Sequence, residues 1–226
     1  MDLNQRILKR LLEVIEEDIP GFELLVKEES SLMKTLNVFV KLFNPVFMSD
    51  FITTMNTKVY APRHYIEKRH DRLWRILAHE WWHLREAKRV SSVVQGTLYL
   101  LPQLLAPLAL LSVLAVWLGP WWLLNLAWLV CAAPLPAWFR AKEELAAYTV
   151  SLATDYWSYD AVHELDIEYY AKQFYGPNYY FMWPFKSWVL RHLHSQVQRI
   201  SEEEYDSVFP FNVIKEIIEE ERSAGS

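Results

Sequence analysis

His79-Glu80-Trp81-Trp82-His83, set inside the run Leu73-Trp-Arg-Ile-Leu-Ala-His-Glu-Trp-Trp-His-Leu84, decides how this chain is read. On a helix, positions four apart stand one above the other, so His79 and His83 present two imidazoles to one point. Glu80 sits beside them, close enough to reach a water held at that point. The pattern is H-E-x-x-H, in which two neutral imidazoles bind zinc and the glutamate serves as general base. Leu73, Leu77, Trp81 and Leu84 cluster on a flank next to the histidine face and would pack the helix into the fold. Asp71 reads as an N-cap or first-turn acid for this helix, which runs toward Arg89.

A long apolar region follows almost at once. Val90 to Leu118 holds no Asp, Glu, Lys or Arg, and neither does Trp121 to Phe139. A helix needs roughly 20 residues to cross a hydrocarbon core of about 30 Å, which each half can supply. Gly119-Pro120 supplies the turn between them, and Trp117, Trp121 and Trp122 supply an aromatic anchor. The expectation is a two-helix transmembrane hairpin, with Pro102, Pro107, Pro134 and Pro136 marking kinks or early ends. A buried hairpin of a soluble domain is the competing reading, but two charge-free runs exceed what so small a domain can cover. Arg85, Lys88 and Arg89 precede the hairpin, Arg140 and Lys142 follow it, and the turn carries no charge. The positive-inside rule then places both ends, and the active site, on the cytoplasmic face.

Composition agrees with that setting. Of 226 residues 52% are hydrophobic, and 11 Trp, 12 Tyr and 11 Phe suit a membrane interface. A formal charge of -5 with no dominant basic patch excludes a nucleic-acid footprint. The single Cys131 rules out an intramolecular disulfide framework and a multi-cysteine zinc site. The start of the chain mixes charges with Leu3, Ile7, Leu8, Leu11, Leu12 and Ile15 on one face. It reads as an amphipathic helix ended by Pro20-Gly21, not as a signal peptide. Phe51 to Tyr60 alternates and is rich in Thr and Val, the pattern of a strand ending at Ala61-Pro62. Such a strand can pair with an extended peptide along its edge. Ser223 to Ser226 reads as a disordered tail.

A catalytic zinc usually takes three protein ligands and leaves a fourth position open. His79 and His83 supply two. The first acids after the hairpin are Glu143 and Glu144, at the start of a helix over Ala141 to Thr154. Helical spacing puts Glu144, Ala147, Tyr148 and Ser151 on one face, with Glu143 about 100° away among solvated charges. Glu144 is the expected third ligand, with Glu143, His163 and Asp155 as alternatives. Tyr148, Tyr156, His163, Arg191 and His192 are candidate donors to a developing oxyanion.

These residues resemble a family. H-E-x-x-H on one helix, with a glutamate ligand on a later one, is the gluzincin pattern. A membrane hairpin between the two is similar to the HtpX-type heat-shock proteases and the CAAX prenyl proteases. There the third ligand belongs to a Glu-x-x-Ala-Asp motif; here Glu144-Leu-Ala-Ala147-Tyr148 matches the Glu and the Ala, and Tyr148 replaces the Asp. Trp82 also occupies a place that is usually small in that family. The resemblance spans roughly residues 51–154 and implies metal-assisted peptide hydrolysis with Zn2+. A metal-activated water would attack, and Glu80 would take its proton and pass it to the leaving amine.

The expectations are therefore a mainly α fold with a small β-sheet (α+β), a gluzincin-like core interrupted by the hairpin. Residues 1–89 form the N-terminal half, 90–139 the hairpin and 140–226 a C-terminal half with two or three further helices. The function expected is a membrane-anchored zinc endopeptidase with a polypeptide substrate and the lipid bilayer as partners. Its metal ligands are His79, His83 and Glu144, and its catalytic residues Glu80 and Tyr148. The alternative is a non-catalytic membrane scaffold that keeps a structural or vestigial metal site. Substrate identity and oligomeric state are not encoded in any motif.

Overall fold

A computed structural model describes residues 1–41, 44–177 and 181–224, without the side chains of Phe39 and Ser92. Asn178, Tyr179 and Tyr180, and Gly225 and Ser226 of the expected tail, lie outside the described residues. Ser223 is not part of a loose tail, because it completes the last helix.

The chain is mainly helical with one small sheet. Helix α1 (Leu3–Asp18) starts at a capping box between Asp2 and Gln5 and buries Ile7, Leu8, Leu11 and Ile15. It stops at Pro20-Gly21, where Gly21 takes φ +81°. Strand β1 (Glu23–Val26) follows, then α2 (Ser31–Val40), β2 (Thr53–Met55) and β3 (Lys58–Ala61). The single strand expected over Phe51 to Tyr60 is a hairpin of two. Asn56 breaks the alternation with φ +55°, a left-handed conformation that Asn tolerates in tight turns. β3 is central, parallel to β1 and antiparallel to β2, so β2 is an edge strand.

After α3 (Arg63–Lys68), the motif helix α4 (His70–Val90) runs through the middle of the molecule. It carries Asp71 in its first turn and buries Leu73, Leu77, Trp81 and Leu84, as their spacing predicts. It packs against α1 on one side and α7 (Trp138–Tyr159) on the other. Three helices complete the fold: α8 (Glu164–Tyr175), α9 (Lys186–Ser201) and α10 (Phe211–Ser223). One core runs from Ile7 to Ile218, so the halves before and after the apolar region are packed together.

The apolar region breaks at Pro102, one of the prolines expected to mark a kink, and also at Ser91, where the sequence reading expected no break. α4 ends at Ser91, whose φ of +81° forces a new helix, α5 (Ser92–Leu100). Pro102 disfavours helical backbone at Leu101, and the chain bends by 78° before continuing. Residues Gln103–Leu114 form a 3-10 helix that passes into α6 (Ala115–Leu118). After Gly119, Pro120–Ala132 forms a second 3-10 helix packed against the first. The paired region is therefore 103–132, shorter than the expected 90–139. No single helix among the described residues is long and apolar enough to cross a membrane. α5 turns aside because its polar groups, Gln95 and Tyr99, find partners on α4 and α7.

Arg140, counted above as a flanking surface charge, is buried at the base of the paired region. It donates to the Tyr99 carbonyl at 2.9 Å and to Gln103 Oε1 at 3.2 Å. The tryptophans of the motif face elsewhere than the paired region. Trp81 donates to Asp18 Oδ2 of α1 at 2.8 Å and meets Phe209 edge-on, while Trp82 packs toward Phe211 of α10. Large rings at both positions fill the space between the motif helix and the two ends of the chain.

Candidate metal centre

His79 and His83 stand one turn apart on α4, and α7 brings Glu144 across to both. Glu144 Oε2 lies 3.6 Å from His79 Nε2, and Oε1 lies 3.6 Å from His83 Nε2. All three candidate ligand atoms fall within 4.8 Å of one another. Ligand bonds of 2.0–2.2 Å to a tetrahedral ion put neighbouring donors about 3.4 Å apart, so this spacing suits one. At 3.6 Å the contacts are too long for hydrogen bonds. Glu144 Oε2 is left buried with no hydrogen-bond partner among the described residues. A carboxylate oxygen in that state, facing two imidazole nitrogens, is what a bound cation satisfies. The three residues can hold a metal ion. Small residues on α7 permit the approach: Ala141 and Ala147 are fully buried against their neighbours.

The surrounding groups fix the ligands. His79 Nδ1 is 3.1 Å from Ser151 Oγ. With Nε2 kept as the ligand lone pair, Nδ1 carries the proton and donates it to that hydroxyl. Ser151, one turn of α7 beyond Tyr148, is the hydroxyl that faces His79 Nδ1. Tyr99 donates to Glu144 Oε1 at 2.7 Å, and Gln95 Nε2 donates to the His83 carbonyl at 3.3 Å. Thr54 of the edge strand β2 donates to Glu80 Oε2 at 2.7 Å. Burial alone pushes the Glu144 carboxyl up, but His83, His79 and the Tyr99 hydroxyl outweigh it and hold it below the usual range. Burial likewise pushes His79 down, yet Glu144 and Glu80 leave it raised overall. The two shifts share one cause, a negative carboxylate among the imidazoles.

Two cavities meet at this centre. One of about 810 Å3 lies between α4, α7 and α8; the other, of about 480 Å3, lies between β2, α4 and α5. Phe51, Ile52, His79 and Glu80 line both.

Of the expected oxyanion donors, Tyr148 alone reaches a cavity wall. Its buried ring meets His79 at 4.7 Å and packs on Tyr170 and Phe174. Tyr156, His163, Arg191 and His192 line neither cavity. Asp155 is not at the metal centre, because Arg75 and the Tyr170 hydroxyl each hold it at 2.7 Å. His163 caps α8, away from the centre. Glu143 is not among solvated charges: it is half-buried, and burial and then Glu86 push its carboxyl up.

Sequence reasoning missed Tyr99, Gln95 and Thr54. Tyr99 and Gln95, four residues apart, were visible as a polar pair interrupting the apolar run. Thr54 left no such signal, since its partner is set by the β2–β3 turn. Comparison with protein-family models, with curated proteins and with solved structures finds no match for this chain.

Proposed function

We propose that this chain is a membrane-anchored, zinc-dependent endopeptidase with a gluzincin-like centre of the HtpX-type and CAAX-protease kind. The observation that carries the reading is the convergence of His79, His83 and Glu144 beside Glu80, where two cavities meet. Zinc held by those three residues would supply a Lewis acid that lowers the pKa of a water and polarises a substrate carbonyl. Glu80 accepts the proton at Oε1, since Oε2 already accepts from Thr54, and returns it to the leaving amine. Ser151 keeps His79 in the ligating tautomer, and Tyr99 keeps Glu144 turned to both imidazoles. Tyr148, whose ring meets His79, is the candidate donor for the charge that would develop on the carbonyl oxygen. β2 offers its outer edge to an extended polypeptide.

The anchor is the paired region 103–132. Its apolar side chains face outward: Trp121 is 80% exposed, Val116 78%, Leu110 73% and Trp117 72%. Exposed surface of that kind and continuity supports burial in lipid. A 3-10 helix rises about 2.0 Å per residue, so Gln103–Leu118 with its α-helical end reaches about 30 Å, and Pro120–Ala132 about 26 Å. Those lengths approach a hydrocarbon core despite the short segments. Arg85, Lys88, Arg89 and Lys142 remain as flanking cations, which supports an active site facing the cytoplasm.

Metal analysis and proteolysis by the purified full chain in detergent test the reading. The parent should hold about one zinc and cleave an unfolded test polypeptide, while Glu80→Gln keeps the zinc and loses cleavage. Equal cleavage by both proteins would overturn the mechanism. Zinc without cleavage in the parent would favour the scaffold alternative.

A further inference from the structure

The two cavities differ in chemistry. The larger is lined by Asp50, Asp71, Arg72, Arg75, Asp155 and Asp166. The smaller carries Phe51, Ile52, Met55, Ala87, Gly96 and Leu100, with no charged group beyond the centre itself. Of the five polar side chains on its wall outside the centre, Asn56 is exposed at the β2–β3 turn and the other four are already engaged. Thr53 accepts from Lys27, Thr54 donates to Glu80, Gln95 to the His83 carbonyl, and Tyr99 to Glu144. A polar substrate group entering there would lose water and gain little in return. An apolar side chain would shed its hydration at no such cost.

The depth of the smaller cavity depends on α5. Gly96 lines it, and a Cβ built on Gly96 meets nothing within 4 Å. Its φ lies outside the left-handed range, so a side chain fits the helix without strain. Glycine within a helix is less favourable than alanine. Here its absent side chain leaves open space beside the metal centre.

We propose that the smaller cavity is the subsite for an apolar side chain of the substrate, with its depth set by Gly96. The bond cut then lies where an apolar stretch, held beside α5, passes into a polar stretch held between α4, α7 and α8. This rests on the peptidase reading above and names the substrate class for the same centre.

The test uses the full chain in detergent and fluorogenic peptides of one polar sequence with a single varied residue: Gly, Ala, Leu, Phe or Asp. Product masses locate the cut. The parent should cleave beside Leu or Phe with kcat/KM about 10-fold or more above Gly and Asp. Gly96→Leu should move the optimum to Ala, by raising KM for Leu and Phe far more than for Ala. Gly96→Ala should fall between them, with an unchanged or higher Tm because alanine favours the helix. Cleavage by the parent without apolar preference, or the same preference in Gly96→Leu, overturns the subsite and leaves the peptidase standing. No cleavage of any peptide by the parent overturns the peptidase reading and the subsite with it.

Discussion

Tyr99 donates its hydroxyl hydrogen to Oε1 of Glu144 at 2.7 Å, joining the first helix of the apolar region to the carboxylate that faces both imidazoles. The bond gives α5 a role that its apolar sequence conceals: it ties α5 to the centre, apart from the paired region 103–132. Without that donor, the buried Glu144 carboxylate would be oriented by the imidazoles alone. Tyr99→Phe keeps the ring against His83 and Arg140 and removes only the hydroxyl. Zinc affinity, measured by competition with a chelator, should fall about 10-fold.

Glu144, not Glu143 or Asp155, is the carboxylate that faces both imidazoles, and so the proposed third ligand. Glu144→Ala should lower zinc affinity by about 100-fold or more, since an open four-coordinate site then keeps only two protein ligands. Glu143→Gln and Asp155→Asn should leave the affinity within about 3-fold of the parent, well below the effect of a residue that orients a ligand. A large loss in Asp155→Asn with Glu144→Ala unaffected would reverse the assignment.

The motif helix and its partner were legible because both follow a helical period. The spacing that aims His79 and His83 at one point also buries Leu73, Leu77 and Trp81, and the structure keeps both faces. Glu144 was legible for the same reason, since Ala141 and Ala147 mark a close helix contact. What the sequence hid depends on backbone breaks. The positive φ at Ser91 divides a charge-free run that hydropathy reads as one segment, whereas the bend at Pro102 was legible from the proline. The positive φ at Asn56 folds one alternating segment into two strands and so puts Thr54 beside Glu80. Trp81 and Trp82 were readable as large and apolar, but their neighbours, Asp18 and Phe211, lie far away in sequence.

Thr54 donates to Oε2 of Glu80 at 2.7 Å, so Oε1 is the oxygen that would take the proton in the proposed reaction. Thr54→Val preserves the shape and strand preference of the side chain and deletes the donor. A hydrogen bond to a charged group is worth about 1.5–3 kcal/mol, so kcat should fall about 10-fold or more with zinc content unchanged. An unchanged kcat would show that Glu80 is positioned by other contacts.

Lys27 is fully buried and ties the segment before β2 to β1: its Nζ donates to the carbonyls of Phe47 and Phe51 and to Thr53 Oγ1. Burial lowers its ammonium from 10.5 to about 8, against the opposing pull of Glu28 and Glu80. Between those values the unfolded chain binds the extra proton, so this group's contribution to stability rises as pH increases from about 8 to about 10.5. Lys27→Met strands buried acceptors and should cost about 2 kcal/mol at neutral pH. Because methionine does not titrate, the gap between parent and variant should widen by about pH 9.5. Chemical unfolding at the two pH values measures both effects, and a constant gap would exclude Lys27 as the titrating group.

The paired region 103–132 leaves and re-enters the fold at nearly the same place. Gln103 Nε2 lies 3.5 Å from the Ala133 carbonyl, and Arg140 clamps Gln103 from the other side. The two 3-10 helices pack chiefly on each other, so the main core loses little when they are removed. Replacing residues 105–130 by a short Gly-Ser linker should therefore preserve the metal centre, which is built entirely from α4, α5 and α7. It should also remove the exposed apolar surface proposed above as the lipid anchor. The expected result is a shift from the membrane fraction to the soluble fraction, with zinc content retained. If the shortened chain still sediments with membranes while the centre stays loaded, the anchor lies elsewhere, and the outward-facing side chains of 103–132 would need a protein partner to cover them.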